Sequence, residues 1–210
     1  VQANGFKLQI ILLKKQFNTH DLSGFGIEQL TVALAAAGCL LNYAQQTQRS
    51  LLPHIQNPHI ENREDFILLD NSTQRNLELL ENFSGADNCT LLKVYDNTAT
   101  TMGSRLLQRW IKRPLKQRET CQKRLDSVRE LLDKQAHEDL HVELKQIADL
   151  ERILTRIALK SARPRDLAQL RDSLTALPEI QSSLSRYQSD LINELKTNIQ
   201  TFPKQSTLLT

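Results

Sequence analysis

The sequence predicts a mainly α-helical protein, with a multi-helical core of long packed helices and at most one or two short strands. Leu dominates the apolar residues, whereas aromatic residues make up only 5% and Gly and Pro number six each, a balance that favours helix over sheet. Apolar residues also recur at spacings of three and four, the period of a helix with one buried face. A length of 210 residues suffices for one large domain or two small ones.

The first sixty residues predict two helices and then a break. Residues 6–17 form a dense apolar run whose length and flanks favour helix over strand, and residues 28–48 are rich in Ala and Leu. A turn-forming segment with Asn, Asp, Ser and Gly separates them. Pro53 and Pro58 impose an extended connection, so we place a candidate domain boundary at residues 49–62.

A short strand or extended segment and a capped helix are expected next. Residues 65–70 are too short for a helix between polar ends and read as a single buried strand or an extended segment. Asp70 can cap a helix that runs to about Phe83, because its carboxylate can accept from free amides of the first turn. Residues 101–112 form a further helix, which Arg113-Pro114 ends because proline disfavours helical geometry in the residue before it.

The second half of the chain predicts four more helices. They span residues 117–133, 140 to about 162, 164 to 184, and 189 to about 200. Proline at a first helical position costs no hydrogen bond and an acid in the first turn complements the helix dipole, so Pro164 and Asp166 mark the start of the longest one. Its predicted apolar seam is Leu167, Leu170, Leu174, Leu177, Ile180 and Leu184.

Charge, cysteines and hydropathy place few limits on function. The net charge of +3 neither demands nor excludes a nucleic-acid partner. The three cysteines, Cys39, Cys89 and Cys121, lie far apart and suit reduced thiols, so we expect a cytoplasmic protein. No apolar run is long enough for a membrane span. The chain starts without Met and ends without a terminating feature, and we therefore expect it to be part of a longer protein.

One stretch has the letters of a zinc hydrolase motif. His137-Glu138-x-x-His141 would place two histidines on one helix face with Glu138 as a base. A catalytic zinc of this kind needs a third protein ligand, and no His or Cys follows His141, which leaves Glu143 or Glu151. We regard a coincidence on the solvated surface as the better interpretation.

A basic stretch is the candidate for nucleic-acid contact. Its basic residues are Arg105, Arg109, Lys112, Arg113, Lys116, Arg118, Lys123 and Arg124. Helical spacing puts the first four largely on one side, where they could track phosphates, whereas the alternative is a solvated face paired with nearby acids. Trp110, the only tryptophan, is interpreted as a core anchor rather than a base-stacking platform.

Nucleotide chemistry and nucleophilic catalysis find no support in the residues. None of the six glycines has the spacing of a phosphate-binding loop, and Ser, His and Asp offer no nucleophile elbow. We therefore predict that this chain is not an enzyme and has no catalytic, cofactor-binding or metal-binding residues of its own.

Three stretches in order resemble the MutS family of DNA mismatch repair proteins. They are Asp-Asn-Ser-Thr-Gln-Arg-Asn-Leu-Glu at 70–78, Asp-Asn-Thr-Ala-Thr-Thr-Met-Gly-Ser-Arg-Leu-Leu at 96–107, and Asp-Leu-Glu-Arg-Ile-Leu-Thr-Arg-Ile-Ala at 149–158. These resemble the family's core domain. Gly-Phe-Gly-Ile-Glu at 24–28 and Ala-Ala-Gly-Cys-Leu-Leu-Asn-Tyr-Ala at 36–44 resemble the end of its connector domain.

The resemblance implies a domain organisation and a role. Residues 1–49 would be the C-terminal part of the connector, 50–62 a linker, and 63–210 the first part of the core/lever domain, with the clamp and ATPase domains absent. The chain would be a structural and allosteric segment that transmits conformational change between ATPase and DNA-clamping parts. The whole protein would use ATP and Mg, bind mismatched DNA as a homodimer and contact repair partner proteins.

Site residues follow from this interpretation. The family's mismatch-reading Phe-x-Glu has no counterpart here. Structural roles fall to three groups: Asp70, Thr73 and Asn76 at the first core helix, Trp110 and Pro114 at a helix corner, and Arg163, Pro164 and Asp166 at the start of the long helix. The alternative from another class is a stand-alone helical module that binds nucleic acid through Arg105, Arg109, Lys112 and Arg113.

Overall fold

A computed structural model describes residues 2–48, 52, 55, 58, 60–61, 63–86, 88–134 and 137–209. Within these residues the chain forms eleven α-helices and no strand beyond one isolated bridge, which confirms the mainly α prediction. The helices are α1 Gln2–Gln16, α2 Thr31–Gln48, α3 Asn71–Asn76, α4 Leu91–Tyr95, α5 Thr101–Lys112, α6 Arg118–Asp133, α7 His137–Leu144, α8 Leu150–Ala158, α9 Pro164–Leu184, α10 Asp190–Asn198 and α11 Pro203–Leu208.

The chain divides into two compact units. Unit 1 comprises Val1–Glu61 and Leu154–Ala162, and unit 2 comprises Asn62–Ile153 and Arg163–Thr210. The proposed linker at 50–62 lies largely outside the described residues, and the domain limits stay a prediction. No helix in the described ranges is both long and apolar enough to cross a membrane.

In unit 1, α1 packs against α2 around a small apolar core. Its buried residues are Leu13, Leu22, Ile27, Leu34, Leu41 and Leu52. The helices approach most closely at Gly38, where an added Cβ would lie 2.5 Å from the Cβ of Gln9 and 3.0 Å from its Cα. Only glycine fits this crossing, because real Cβ atoms do not approach other atoms so closely.

In unit 2, α9 is the central helix and contacts α7, α10 and α11. Its bounds agree with the prediction. Ile180 and Leu184 form a core cluster with Tyr187 and Ile192, against which half-buried residues of neighbouring segments pack. The buried side of α9 comprises Asp166, Leu170, Ser173, Ala176, Ile180 and Leu184.

The buried side of α9 is rotated relative to the predicted seam. Leu167 is 36% exposed, and Leu174 and Leu177 are only half-buried, whereas Ser173 is fully buried. Ser173 fits the interior because its hydroxyl accepts from the Ala148 amide at 2.9 Å and donates to the Gln169 carbonyl at 2.8 Å. Small, hydrogen-bonded side chains therefore share the contact with leucines.

Of the two alternatives predicted for residues 65–70, the structure has the extended segment and not the buried strand, since Asp65 ends a short 3₁₀ helix and residues 66–70 follow without helix or strand. It makes one bridge, Phe66 to Leu115, supported by Ile67 N donating to Pro114 O at 2.8 Å. Leu68 is 72% exposed. The single short partner segment pairs one edge only, and Ile67 and Leu68 remain exposed.

The helix capped by Asp70 is shorter than predicted. α3 ends at Asn76, and Glu78 has a φ of 47°, which stops the helix well before Phe83. The turn brings the chain beside α4, where the Leu92 amide donates to the Leu79 carbonyl at 3.0 Å. Leu79 is thereby buried. α4 and α11 were not predicted.

The predicted helix from residue 140 to about 162 is two helices, α7 and α8. The Asp149 carboxylate accepts from the Arg152 amide at 3.3 Å and so starts α8 anew, since an Asp side chain can satisfy an amide of a first turn. Ile153, at 1% exposure, then faces the interior. The last predicted helix is confirmed as α10, preceded by Ser189.

A polar cluster ties α6 to the turn between α9 and α10. The Glu130 carboxylate accepts from the amides of Gln188 at 2.7 Å and Ser189 at 2.8 Å, and pairs with Lys134 at 2.7 Å. The hydrogen bond from Lys134 and, to a smaller extent, those from the two backbone amides lower the pKa of Glu130 to about 2. This carboxylate is therefore charged throughout the physiological range.

The lowered pKa of Glu130 predicts that part of the folding stability is lost in acid. Its pKa is about 2 in the folded chain against an ordinary 4.5, so its stabilisation is complete above pH 4.5 and is lost as the pH falls through about 2. We expect Glu130→Gln to lower the urea midpoint at pH 7 and to match the unchanged protein near pH 2. The exposed Glu138→Gln is the control. A difference that persists at pH 2 would contradict a role for the charge.

Candidate nucleic-acid interface

The basic segment, residues 105–124, concentrates charge at the corner between α5 and α6. Eight of its nine charged residues are basic, although the whole chain carries only +3. α5 begins where the Thr100 hydroxyl accepts from the Gly103 amide at 3.0 Å, and it ends at Lys112, with Arg113 as its C-cap before Pro114. The predicted end of this helix is confirmed.

A hydrogen-bonded loop fixes the start of α5. The Asp96 carboxylate accepts from the hydroxyls of Ser104 and Thr98, and these bonds, that from Ser104 first, hold its pKa below the ordinary range. A Cβ on Gly103 would lie 3.2 Å from the Thr100 hydroxyl. The residues of this loop belong to a motif recognised in the sequence, but their contacts with each other were not predicted.

Arg105 binds two carboxylates. Its guanidinium donates to both oxygens of Asp149, at 2.8 and 2.9 Å, and to Glu151 at 2.7 Å. Arg105 lowers the pKa of Asp149 to about 2, and the two carboxylates in turn raise the pKa of Arg105. This predicted phosphate-binding residue is thus already engaged in an intramolecular ion pair.

The Arg105 ion pair predicts a measurable titration shift. Replacing Arg105 with Ala should raise the pKa of Asp149 from about 2 towards its ordinary 3.8, because its main hydrogen-bond donor is removed. Carboxyl-carbon NMR during an acid titration measures this shift. Arg109→Ala removes the same side chain one turn away and should leave Asp149 unchanged. An unchanged value in Arg105→Ala would contradict the contact.

The other three predicted phosphate-binding residues differ from Arg105. Arg109 and Lys112 are exposed on α5 and make no ion pair with any described residue, and Arg113 lies exposed at the end of that helix. The predicted four therefore lie along one helix, with Arg105 committed to Asp149. Asp149 and Glu151 were not identified as its partners from the sequence.

Trp110 is not a core anchor, so this interpretation was wrong. The side chain is 41% exposed, and the guanidinium of Arg124 lies 3.6 Å from its ring centroid. A cation over an aromatic face is a favourable contact that leaves much of the ring in solvent. Trp110 thus joins α5 to α6 through a side chain from the basic segment.

The three residues assigned to the first core helix do not all contribute to its cap. Asp70 caps α3, accepting from the Thr73 amide at 2.6 Å, and hydrogen bonds from Thr73 and Ser72 lower its pKa. Asn76 is the last residue of α3, and its exposed side chain makes no hydrogen bond with a described residue. Asp70 and Thr73 therefore form the cap, and Asn76 does not contribute to it.

The residues assigned to the long helix form its N-terminus. Pro164 is the first residue of α9, and the buried Asp166 carboxylate accepts from the Arg163 amide at 2.9 Å. The Asp166 amide donates back to the Arg163 carbonyl at 2.9 Å. Reciprocal bonds of this kind fix where a helix begins.

The zinc-like motif lies on α7. His137 is its first residue and His141 lies one turn later. The carboxylates considered as a third ligand are engaged elsewhere, because Glu143 accepts from Ser183 at 2.6 Å and Glu151 pairs with Arg105. The described residues contain no group of three His, Cys, Asp or Glu arranged to hold a metal ion.

Two family models match the chain, in the order that the sequence motifs predict. The model described as MutS domain II matches residues 3–56, and the model described as MutS domain III matches residues 72–209. The second match includes α3 from Ser72 onward and all of α4 to α11, with the basic segment and the long α9. The match to domain III covers more than half of the 210 residues of this chain. The chain therefore belongs to the MutS family of mismatch repair proteins.

Proposed function

We propose that this chain is a structural and allosteric core segment of a DNA mismatch recognition protein, transmitting conformational change between ATPase and DNA-clamping parts. The chain itself would carry out no catalytic step. ATP and Mg, mismatched DNA, the homodimer partner and repair partner proteins would bind to the whole cytoplasmic protein.

The contacts of α9 support this proposal. At about 1.5 Å per residue, its 21 residues extend for about 30 Å. Its first half bonds Ala148 through Ser173, and its second half bonds Glu143 through Ser183. Gln181 donates to the carbonyls of Lys196 and Ile199.

With these contacts, α9 is suited to transmit a conformational change along its length. Because the neighbouring helices are fixed to α9 by packing and hydrogen bonds at several positions along it, a displacement at one end moves α9 and these helices as one rigid body. Two ligands that each favour a different position of this body would then influence each other's affinity. The ties between α9 and α10 are the contacts on which this transmission would depend.

The proposal is tested in the whole protein with Gln181→Ala, which removes both hydrogen bonds between α9 and α10. The ratio of affinities for a mismatched duplex with and without ATP should fall by about fivefold or more, the range of a weak allosteric coupling. Affinity without nucleotide should be unchanged. Glu179→Ala, an exposed change on the same helix, is the control. An unchanged ratio in a folded Gln181→Ala protein would contradict transmission through α9.

A second candidate function is direct contact with DNA phosphates. It is favoured by the charge of the basic segment and by Arg109 and Lys112, which are exposed without an ion pair among the described residues. Such contacts would be independent of base sequence and would weaken with salt.

Fluorescence anisotropy of a labelled duplex, with and without a G·T mismatch, tests this second candidate. Weak binding, equal for both duplexes and lost with salt, is expected, and Arg109→Glu should reduce it. Arg165→Glu makes the same charge change on exposed α9 surface and should have less effect. Absence of binding at low salt would exclude this function, and mismatch-selective binding would mean that the recognition surface has been misplaced.

A further inference from the structure

Trp110 is an aromatic side chain in solvent within a strongly basic surface. It is the only aromatic residue of the basic segment, and 41% of it is exposed although Arg124 lies over its ring. Since Trp110 is not a core anchor, the alternative role of a base-stacking platform is the one that its exposure fits. The charge around it indicates which ligand such a platform would take.

Arg124 holds the ring of Trp110 against α6. Its guanidinium lies 3.6 Å from the ring centroid, and Arg124 itself is half-buried. The part of the ring that reaches solvent is the part that Arg124 does not cover. Proteins that bind single-stranded nucleic acid use such surfaces, in which an aromatic ring stacks on a base and arginine adds a cation–π contact.

Exposed cations precede and follow Trp110 along the chain. Arg109 and Lys112 lie on α5 and make no ion pair with any described residue, and Lys116 and Arg118 follow at the corner and at the start of α6. A sugar-phosphate backbone that passes Trp110 would therefore meet positive charge on both sides of the ring. A charged track for phosphates and a ring for a base are the two features by which proteins bind a single strand of any sequence.

The ring, unlike the cations, selects an unpaired base. In a duplex the bases are stacked on each other and present only their edges in the grooves, so a side chain cannot stack on a base that stays in the helix. Phosphates, by contrast, are accessible in duplexes and single strands. A stacking contact at Trp110 would therefore give a preference for single-stranded DNA that phosphate contacts alone do not give.

We propose that the corner between α5 and α6 binds single-stranded DNA, with one unpaired base stacked on Trp110 and phosphates bound by Arg109 and Lys112. This inference rests on the second candidate function, direct contact with DNA phosphates, and adds the base and the strand form that the surface takes. Arg105 does not take part, because its guanidinium is engaged with two carboxylates. The contact is independent of sequence, since every base has a π face.

Fluorescence anisotropy of a labelled oligothymidine, titrated with the chain at low salt, tests the proposal. A length of about twelve nucleotides is within the range of single-strand binding sites. The control ligand is an abasic oligomer of the same length, which carries the same phosphates without bases. Oligothymidine should bind about tenfold more tightly than the abasic oligomer, the size of one stacking contact. Equal affinities would overturn the proposal.

Substitutions of Trp110 assign this difference to the ring. Trp110→Leu should lower the affinity for oligothymidine about tenfold, to that for the abasic oligomer, and Trp110→Phe, which keeps a smaller ring, should retain part of the difference. Phe83→Leu is the matched control, because Phe83 is an aromatic residue of unit 2 that is 67% exposed outside the basic segment. Circular dichroism verifies that the variants remain folded. A folded Trp110→Leu chain with unchanged affinity for oligothymidine overturns the proposal.

Arg109→Glu distinguishes a failure of stacking from a failure of phosphate contact. It should weaken the binding of oligothymidine, the abasic oligomer and duplex alike, because all three carry phosphates. If Arg109→Glu weakens binding and Trp110→Leu does not, the stacking contact is wrong and the phosphate contact stands. If the unchanged chain binds none of the three at low salt, both are wrong. Transmission through α9 is tested separately by Gln181→Ala and depends on neither outcome.

Discussion

Replacing Leu170 with Asp should abolish the cooperative unfolding of unit 2. Leu170 is 8% exposed on the buried side of α9. The change removes the burial of a leucine side chain, about 1.5 to 3 kcal/mol, and puts a carboxylate in an apolar site, which adds several more. A domain with a total stability of about 5 to 15 kcal/mol does not tolerate this loss. Thermal melting followed by circular dichroism measures it.

Leu167→Asp is the control for this prediction. Leu167 lies in the first turn of the same helix and is 36% exposed, so the new carboxylate can reach water and is favoured by the helix dipole. We expect a loss of about 1 kcal/mol or less, by the size of surface substitutions and dipole effects. If both variants melted alike, the assignment of the buried side of α9 would be wrong.

Gly38→Ala should destabilise unit 1 by about 1 to 3 kcal/mol, the usual range for overpacking. The new Cβ would lie 2.5 Å from the Cβ and 3.0 Å from the Cα of Gln9, and backbone atoms cannot move away as a flexible side chain tip can. The gain in helix propensity from glycine to alanine, about 1 kcal/mol, is smaller than this crowding. Urea unfolding followed by circular dichroism gives the difference.

Gly24→Ala makes the same chemical change where no atom lies within 4 Å of the added Cβ. Its effect should stay within about 0.5 kcal/mol, as for other surface changes. A Gly38→Ala chain more stable than the unchanged one would mean that α1 and α2 do not approach at this residue.

Local signals in the sequence predicted the ends of the helices where proline or a capping residue fixes them. The end of α5 at Arg113-Pro114 and the start of α9 at Pro164 are examples, because a missing amide or a fixed φ acts within one or two residues. The Asp70 cap is another, since its acceptor and the Thr73 amide are only three residues apart.

Contacts between distant residues could not be predicted in this way. The early end of α3 depends on Leu79 being buried beside α4. Arg105 pairs with Asp149, which lies 44 residues further along the sequence. Trp110 is a large apolar residue of the kind common in protein cores, but here Arg124 from the next helix covers one face of its ring. Pairings of this kind depend on tertiary structure, which periodicity does not encode.

The position of Trp110 determines what intrinsic fluorescence can report. As the only tryptophan, half-exposed and stacked with Arg124 in unit 2, it emits from the corner between α5 and α6 alone. Its emission should therefore follow the unfolding of unit 2, and acrylamide quenching should increase in Arg124→Ala. Unit 1 contains no tryptophan, so its loss of structure leaves the tryptophan emission unchanged and has to be followed by another signal, such as the circular dichroism of its helices.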